Sequence, residues 1–297
     1  MNERKPDRAG QIFAALGKSV CYVGLFLGMQ LAFLVPVLFA AVIEMIQGGS
    51  GDGMYAMLNS DIMLYTMLSG LLTIAVVLVF YLIRRKKLGE ALWLRRVPAP
   101  ALFTGAALAP GLYFVTVMAL SALPEAWIES YNEAAAGIDD VSLAGVLATV
   151  AVAPVVEELI FRGLVLNRLS RAMPGWLAVA LSAAVFGACH GHPVWFGYAF
   201  VLGAVFGFVA LRTGSILPTI LGHLVFNGIG QIFSAVPETE EGTELLIAIG
   251  MLLLAAILLP ILDRKGVGAL FKPASKAAPA EELPTAPGTY EFDPWDE

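Results

Sequence analysis

Carboxylates, imidazoles and an amide are grouped in one apolar part of the sequence. Glu157 and Glu158 are adjacent, His190 ends a later apolar run, and His223 lies four residues before Asn227 in another. A carboxylate in a poorly hydrated pocket can take a proton from water, and a neutral imidazole beside it can help position that water. A second imidazole and an amide can donate hydrogen bonds to a developing oxyanion. These residue types therefore suit hydrolysis of an amide bond by an activated water.

The same side chains leave a metal-dependent alternative open. Glu157, His190 and His223 are the donor types that hold Zn²⁺ with an open fourth position. The sequence contains neither the HExxH pair of soluble zinc proteases nor the GxSxG elbow of serine hydrolases. Composition alone does not choose between zinc and metal-free chemistry.

Spacing predicts that these residues lie on three helices. Residues four apart share one face of an α-helix, and three pairs here have that spacing. The pairs are Glu158 with Arg162, Phe186 with His190, and His223 with Asn227. Glu157 is turned about 100° from Glu158 and faces elsewhere. We expect the three helices to meet at one cavity that opens to the cytoplasm.

The composition is that of a membrane protein. Hydrophobic residues make up 58% of the 297 residues and charged residues 14%, whereas soluble domains average about 45–50% and about 25%. The net charge of −6 gives no overall basic field for nucleic acid, so a nucleic-acid partner is excluded. Cys21 and Cys189 both lie in apolar runs, which argues against a disulfide framework.

Apolar blocks of membrane length predict an all-α, polytopic bundle of about eight transmembrane helices. A spanning helix needs about 20 mostly apolar residues. The predicted spans are residues 20–46, 62–83, 101–123, 141–161, 176–189, 194–211, 216–236 and 245–262. The fifth and sixth are short and are separated by a tight break at Gly191, His192 and Pro193.

The positions of the Lys and Arg residues agree with eight transmembrane spans. All 18 Lys and Arg residues fall at the N-terminus or at loops after the second, fourth, sixth and eighth spans. The other loops carry only acidic residues, such as Glu125 and Glu129. Because Lys and Arg are retained on the cytoplasmic side, both termini are predicted to be cytoplasmic, in a multi-pass protein of the cytoplasmic membrane.

The polar residues of the candidate site all lie in the second half of the chain, which suggests a division into four regions. We expect three transmembrane helices in residues 1–140, a catalytic core of four spans in residues 141–235, and a last span in residues 236–265. Residues 266–297 are rich in Ala, Pro and Glu and are predicted to form a disordered cytoplasmic tail.

Three motifs in the core resemble those of the CPBP family of intramembrane endopeptidases, which includes the CAAX prenyl protease 2 type and the Abi-domain bacterial proteins. The family is marked by EExxxR, FxxxH and HxxxN or HxxxD on successive helices. Here they read Glu157-Glu158-Leu159-Ile160-Phe161-Arg162, Phe186-Gly187-Ala188-Cys189-His190 and His223-Leu224-Val225-Phe226-Asn227. All three are intact and in order, and the resemblance covers roughly residues 141–234.

The resemblance implies a peptidase and gives each motif residue a role. Glu157 would activate water with His190, while His223 and Asn227 would stabilise the oxyanion. Glu158 and Arg162 would orient the first motif, with Phe186 in support. The family has been described both as metalloproteases and as metal-free glutamate proteases. We favour no cofactor, because Asn227 and Arg162 suit oxyanion and carboxylate contacts better than zinc, and Zn²⁺ on Glu157, His190 and His223 is the alternative.

The implied substrate is a membrane protein or peptide at the lipid bilayer. Eukaryotic members remove the last three residues of prenylated CAAX proteins, whereas bacterial members act on other peptides or serve in bacteriocin self-immunity. The sequence does not say whether the substrate of this chain carries a lipid.

The sequence also allows interpretations other than a peptidase. A proton-coupled secondary transporter would use Glu157, His190 and His223 as a proton relay, and a catalytically inactive scaffold or immunity protein would only bind a membrane partner. Glu158 and Arg162 could form a structural ion pair, and His192 is expected to be structural or solvated. The GxxxG pairs Gly24/Gly28, Gly187/Gly191 and Gly203/Gly207 predict close helix packing.

Overall fold

The described part of the chain is helical throughout. The computed structural model describes residues 8–48, 52–135 and 142–235, and no strand occurs in these ranges. The α-helices are α1 (Arg8–Ile46), α2 (Asp52–Ile83), α3 (Leu88–Ala91), α4 (Ala99–Leu102), α5 (Thr104–Ser121), α6 (Glu125–Ala135), α7 (Leu143–Val146), α8 (Ala153–Glu157), α9 (Asn167–Ala172), α10 (Gly175–Ala188), α11 (Pro193–Thr213) and α12 (Leu217–Ala235). Two π-helical segments, π1 (Leu147–Val152) and π2 (Glu158–Leu166), lie on either side of α8. The all-α fold is therefore confirmed.

Five helical stretches are long and apolar enough to cross a membrane. They are Ala9–Phe33, Met63–Ile83, Ala99–Ser121, Leu143–Ala172 and Pro193–Thr213. α10 is apolar but shorter, and α12, which carries His223 and Asn227, is not among the five. The predicted eighth span and the tail lie outside the described residues. The chain thus has several candidate spans, as a multi-pass membrane protein requires.

Some boundaries differ from those predicted by the apolar blocks. α1 begins at Arg8, well before residue 20, because helix propensity does not stop where the apolar block begins. The loop predicted after the third span contains α6, an acidic helix that hydropathy alone does not detect. The helix of the first motif runs on past residue 161 to Ala172, with all nine residues of π2 buried.

The continuous helix from Leu143 to Ala172 lies at the centre of the packing. It contacts α1 and α2 on one side and α10, α11 and α12 on the others. Phe161 packs edge-on against both Phe26 of α1 and Phe186 of α10, with ring centroids 5.7 and 5.1 Å apart. The glutamates of the first motif are therefore held in the middle of the bundle.

Side-chain caps mark the start of two core helices, the one that carries the first motif and α11, which follows the second motif. Ser142 begins α7 and its hydroxyl accepts a hydrogen bond from Gly145 N–H at 3.1 Å. At the start of α11 the ring nitrogen Nδ1 of His192 accepts from Val194 N–H at 3.2 Å, and Pro193 occupies the first turn. These contacts satisfy backbone donors that a helix start leaves open.

The segment between α2 and α4 is attached to the start of α12. Ile216 N–H donates to Trp93 O at 3.0 Å, and the Ser215 hydroxyl donates to Arg95 O at 2.7 Å. Leu92 is fully buried in the same core cluster as Ile216. Since α12 carries His223, these bonds help to set the position of the third motif.

Glycine allows close helix crossings, although not everywhere that GxxxG predicts. A Cβ added at Gly222 of α12 would lie 2.7 Å from the Gly105 carbonyl carbon of α5, so these backbones touch. Added Cβ atoms at Gly187 and Gly203 would also meet neighbouring helices at about 3 Å, as predicted. Nothing among the described residues lies within 4 Å of a Cβ at Gly24, Gly28 or Gly191, so close packing at these three glycines stays a prediction.

Candidate active site

The first motif supplies a buried ion pair. Glu158 and Arg162 are both buried, and Arg162 Nη1 lies 3.0 Å from Glu158 Oε1. The spacing of four residues thus brings the two charges together even though this segment is π-helical. The contact is an ion pair by distance but lacks the geometry of a hydrogen bond, and Glu158 Oε2 and both Nη atoms of Arg162 have no hydrogen-bond partner among the described residues. Because a buried ion pair contributes little net stability, especially with unsatisfied atoms, this pair is better explained by the position it gives to its neighbours.

His223 contacts both glutamates of the first motif. Its Nδ1 lies 2.9 Å from Glu158 Oε1, and its Nε2 lies 3.7 Å from Glu157 Oε2. A carboxylate accepts, so Nδ1 carries the proton of the shorter contact. His223 is buried, whereas the Glu157 side chain keeps 18% of its surface exposed. Glu157 is therefore the more accessible of the two carboxylates.

The ring of Phe186 joins the second motif to the other two. The Arg162 Cζ lies 4.4 Å from its centroid, in a cation–π arrangement. The imidazole rings of His190 and His223 meet the same ring nearly perpendicularly, with centroids 4.8 and 6.0 Å away. One aromatic side chain thus touches residues from all three motifs.

A backbone contact fixes which nitrogen of His190 carries a proton. His190 Nδ1 lies 2.8 Å from Phe186 O, in the last turn of α10. A carbonyl oxygen can only accept, so Nδ1 donates and the neutral ring has its lone pair on Nε2. His190 is half-buried. Nε2 is therefore the nitrogen that could accept a proton from water.

Asn227 is tied to the helix that precedes the first motif. Its Nδ2 donates to Thr149 O of π1 at 2.8 Å. This bond uses one of the two amide hydrogens and leaves one for another acceptor. Sequence reasoning missed Thr149, since a backbone carbonyl carries no mark of side-chain type. It also missed Phe206, whose ring lies 5.9 Å from that of His223.

The contacts of His192 are with residues outside the three motifs. Besides starting α11, its Nε2 lies 3.1 Å from the Ser130 hydroxyl of α6, and its ring packs 5.5 Å from that of Trp195. These partners are structural, in keeping with the role expected from the sequence.

The donor set does not fit a zinc ion. Across the ranges that the structure describes, no three His, Cys, Asp or Glu side chains are grouped so that they could hold a metal. We therefore derive no chemical step through zinc.

A family model covers this region of the chain. Residues 140–229 match the model described as type II CAAX prenyl endopeptidase Rce1-like. The match includes all three motifs, so the resemblance stated from them is confirmed over these residues. This segment is therefore similar to a family of endopeptidases. Comparison of the chain with curated proteins and with solved structures found no match.

Proposed function

We propose that the protein is an intramembrane endopeptidase that hydrolyses a peptide bond of a membrane-associated protein or peptide by metal-free water activation. The observation that carries this proposal is the junction at His223, which contacts Glu158 and Glu157 through opposite nitrogens. The family match over residues 140–229 supports it.

Each side chain of the site has a proposed role. Glu157 takes the proton of the attacking water, with help from His190 Nε2, because Glu157 is the partly exposed carboxylate and His190 keeps that lone pair. His223 Nε2 and the second amide hydrogen of Asn227 donate to the oxyanion. When both nitrogens of His223 are protonated, Nδ1 donates to Glu158 and Nε2 remains for the substrate.

Glu158, Arg162 and Phe186 act as positioning residues. Glu158 holds the His223 ring by Nδ1, and Arg162 neutralises Glu158 at 3.0 Å. Phe186 separates the two imidazoles while it touches both. These contacts hold the imidazole rings in fixed orientations, so the reacting groups need not be oriented by bulk water.

The proposed topology has eight spans with both termini in the cytoplasm. Residues 1–140 supply three spans, residues 141–235 the catalytic core of four, and residues 236–265 the last. The sorting of all 18 basic residues into alternate loops supports this arrangement in the cytoplasmic membrane. The pocket then opens toward the cytoplasm, where CAAX-type termini or other peptides of the inner leaflet are accessible, with or without an attached lipid.

Comparison of membrane peptides from cells with wild-type and Glu157→Gln protein tests the proposal. We expect at least one peptide terminus that is present with the wild type and absent with Glu157→Gln. Glu129→Gln, an exposed carboxylate change in α6, is the matched control and should keep the wild-type pattern. If Glu157→Gln keeps both the peptide pattern and the biological function, the protein is a scaffold and not a peptidase.

A further inference from the structure

A cleft separate from the candidate active site lies where α9 meets α1 and the end of α2. Its wall contains cationic, hydroxyl and amide groups. The polar residues that line it are Tyr22, Tyr81, Lys86, Asn167, Arg168 and Arg171. Leu164 and Ala91 complete the lining, and no carboxylate residue is part of it. Three positive side chains thus face one depression at the end of the bundle to which the positive loops are assigned.

One of the cations is held in a fixed orientation. Asn167 Nδ2 donates to Ala91 O at 2.9 Å, which anchors the amide. Asn167 Oδ1 then accepts from Arg171 Nε at 3.2 Å and from Arg171 Nη2 at 3.0 Å. The Arg171 guanidinium is therefore preorganised at the cleft wall. A preorganised donor loses less entropy when it binds an anion.

A second cation is uncommitted in the part of the chain that the structure describes. Arg168 is half-buried there and makes no hydrogen bond or ion pair with a described residue. The Tyr22 and Tyr81 hydroxyls lie 3.5 Å apart in the same cleft. Guanidinium, ammonium and phenol groups together are the donors that a phosphate group binds.

Apolar side chains adjoin the cleft on the same end of α2. Leu82 and Ile83 are 59% and 73% exposed, shortly before Lys86. A free anion would make no favourable contact with this apolar surface, whereas the acyl chains of a phospholipid would pack against it beside the bound phosphate. Basic pockets between transmembrane helices on the cytoplasmic side are the kind of site that binds anionic lipid headgroups.

We propose that this cleft binds the phosphate group of an anionic phospholipid of the cytoplasmic leaflet, with Arg168, Arg171 and Lys86 as its charged contacts. Arg171 and the tyrosine hydroxyls fix the phosphate, and Arg168 supplies an unpaired charge. The site does not depend on the hydrolytic function, because none of these residues contacts Glu157, His190 or His223.

Native mass spectrometry of the detergent-solubilised full chain tests the site. The protein is mixed with phosphatidylglycerol and phosphatidylcholine, with and without excess inorganic phosphate. We expect selective retention of phosphatidylglycerol by the wild type, a loss of about 5-fold in its affinity for Arg168→Gln, and recovery in Arg168→Lys. Arg212→Gln at the end of α11 removes one charge outside the cleft and should bind as the wild type does.

Three results would overturn the proposal. Equal losses in Arg168→Gln and Arg212→Gln would show a general charge effect. Equal retention of phosphatidylcholine would remove the selectivity, and binding of inorganic phosphate without phosphatidylglycerol would replace the lipid by a free anion. A thermal unfolding curve of Arg168→Gln without lipid, unchanged from the wild type, shows that the loss is not one of folding.

Discussion

His190 and His192 are two residues apart, but their ring nitrogens have different partners. His190 uses Nδ1 on Phe186 O and leaves Nε2 beside the site, whereas His192 uses both nitrogens on Val194 N–H and Ser130. Residue type alone could not separate them. Their separation follows from the turn after α10, in which Gly191 has a φ of +73°.

Substitution of each histidine tests this division. We expect His190→Ala to lower the rate of peptide cleavage by about 10²- to 10⁴-fold, because it removes the group that we propose helps to move a proton. His192→Asn keeps a side-chain acceptor at the start of α11 and should retain the wild-type rate. The measurement is cleavage of an identified substrate peptide by protein in detergent or vesicles. A comparable loss in both variants would remove His190 from the reaction.

Chelators test the metal-free mechanism at the same scale. The described residues offer no group of three ligands, so o-phenanthroline and EDTA are expected to leave the cleavage rate unchanged. Elemental analysis of the purified active protein should find less than stoichiometric zinc. Inhibition that added Zn²⁺ reverses would instead assign a metal to the site.

The side chains of the three motifs could be predicted to converge because each pair repeats at four residues on an apolar helix. Glu158 with Arg162 and Phe186 with His190 are indeed in contact. The bond from Asn227 to Thr149 O could not be predicted, since it depends on how α12 packs against π1 and uses a backbone atom. Local spacing therefore predicts faces, and packing decides which faces meet.

Among the elements, the two π-helical segments depart most from the predicted regular helix. π1 and π2 lie on both sides of Glu157, and a π-helix shifts the backbone hydrogen-bond pattern that sets side-chain direction. The Ser182 hydroxyl donates to Phe161 O within π2 at 2.9 Å. Such segments occur frequently at functional sites, and apolar periodicity does not reveal them.

The crossing of α5 and α12 gives a prediction about stability. Gly222→Ala would place a Cβ less than 3 Å from the Gly105 backbone, so the helices would have to separate. We expect a loss of about 1–3 kcal/mol in unfolding free energy, because overpacked backbone contacts cannot relax cheaply. A fall in cleavage rate should accompany it, since α12 carries His223. Thermal unfolding in detergent measures the first effect.

Gly24→Ala in α1 is the matched control for this change. No described atom lies within 4 Å of a Cβ at Gly24, and alanine in a helix interior is favoured over glycine by roughly 0.5–1 kcal/mol. Its unfolding temperature should be equal to or above that of the wild type. Equal destabilisation by both variants would mean that the α5–α12 contact is not the cause.

For the whole molecule, the all-α fold was predictable because apolar blocks of membrane length leave few alternatives. The structure gives the number of spans less directly, because α10 is short and α12 carries the strongly polar side chains His223, Asn227 and Gln231. Polar residues lower the mean hydropathy of the helices that carry them. α12 is for this reason harder to recognise as a span than the helix of the first motif.

Topology reporters test the eight-span arrangement. Fusions that end at residue 240 and at residue 297 bracket the predicted span at residues 245–262. We expect alkaline phosphatase to be active at residue 240 and inactive at residue 297, and a fluorescent protein at residue 297 to be bright. The same activity at both positions would exclude a span between them and change the side on which the chain ends.

The hydrogen bonds that the start of α12 donates to the Trp93 and Arg95 carbonyls affect which part of the chain can fold on its own. The family match starts at residue 140, yet the segment it delimits relies on partners from further upstream. Excised alone, it would lose the carbonyl that accepts from Ile216 N–H and the glycine surface against which α12 lies. We therefore expect that residues 140–229, expressed without the helices before them, would not fold stably.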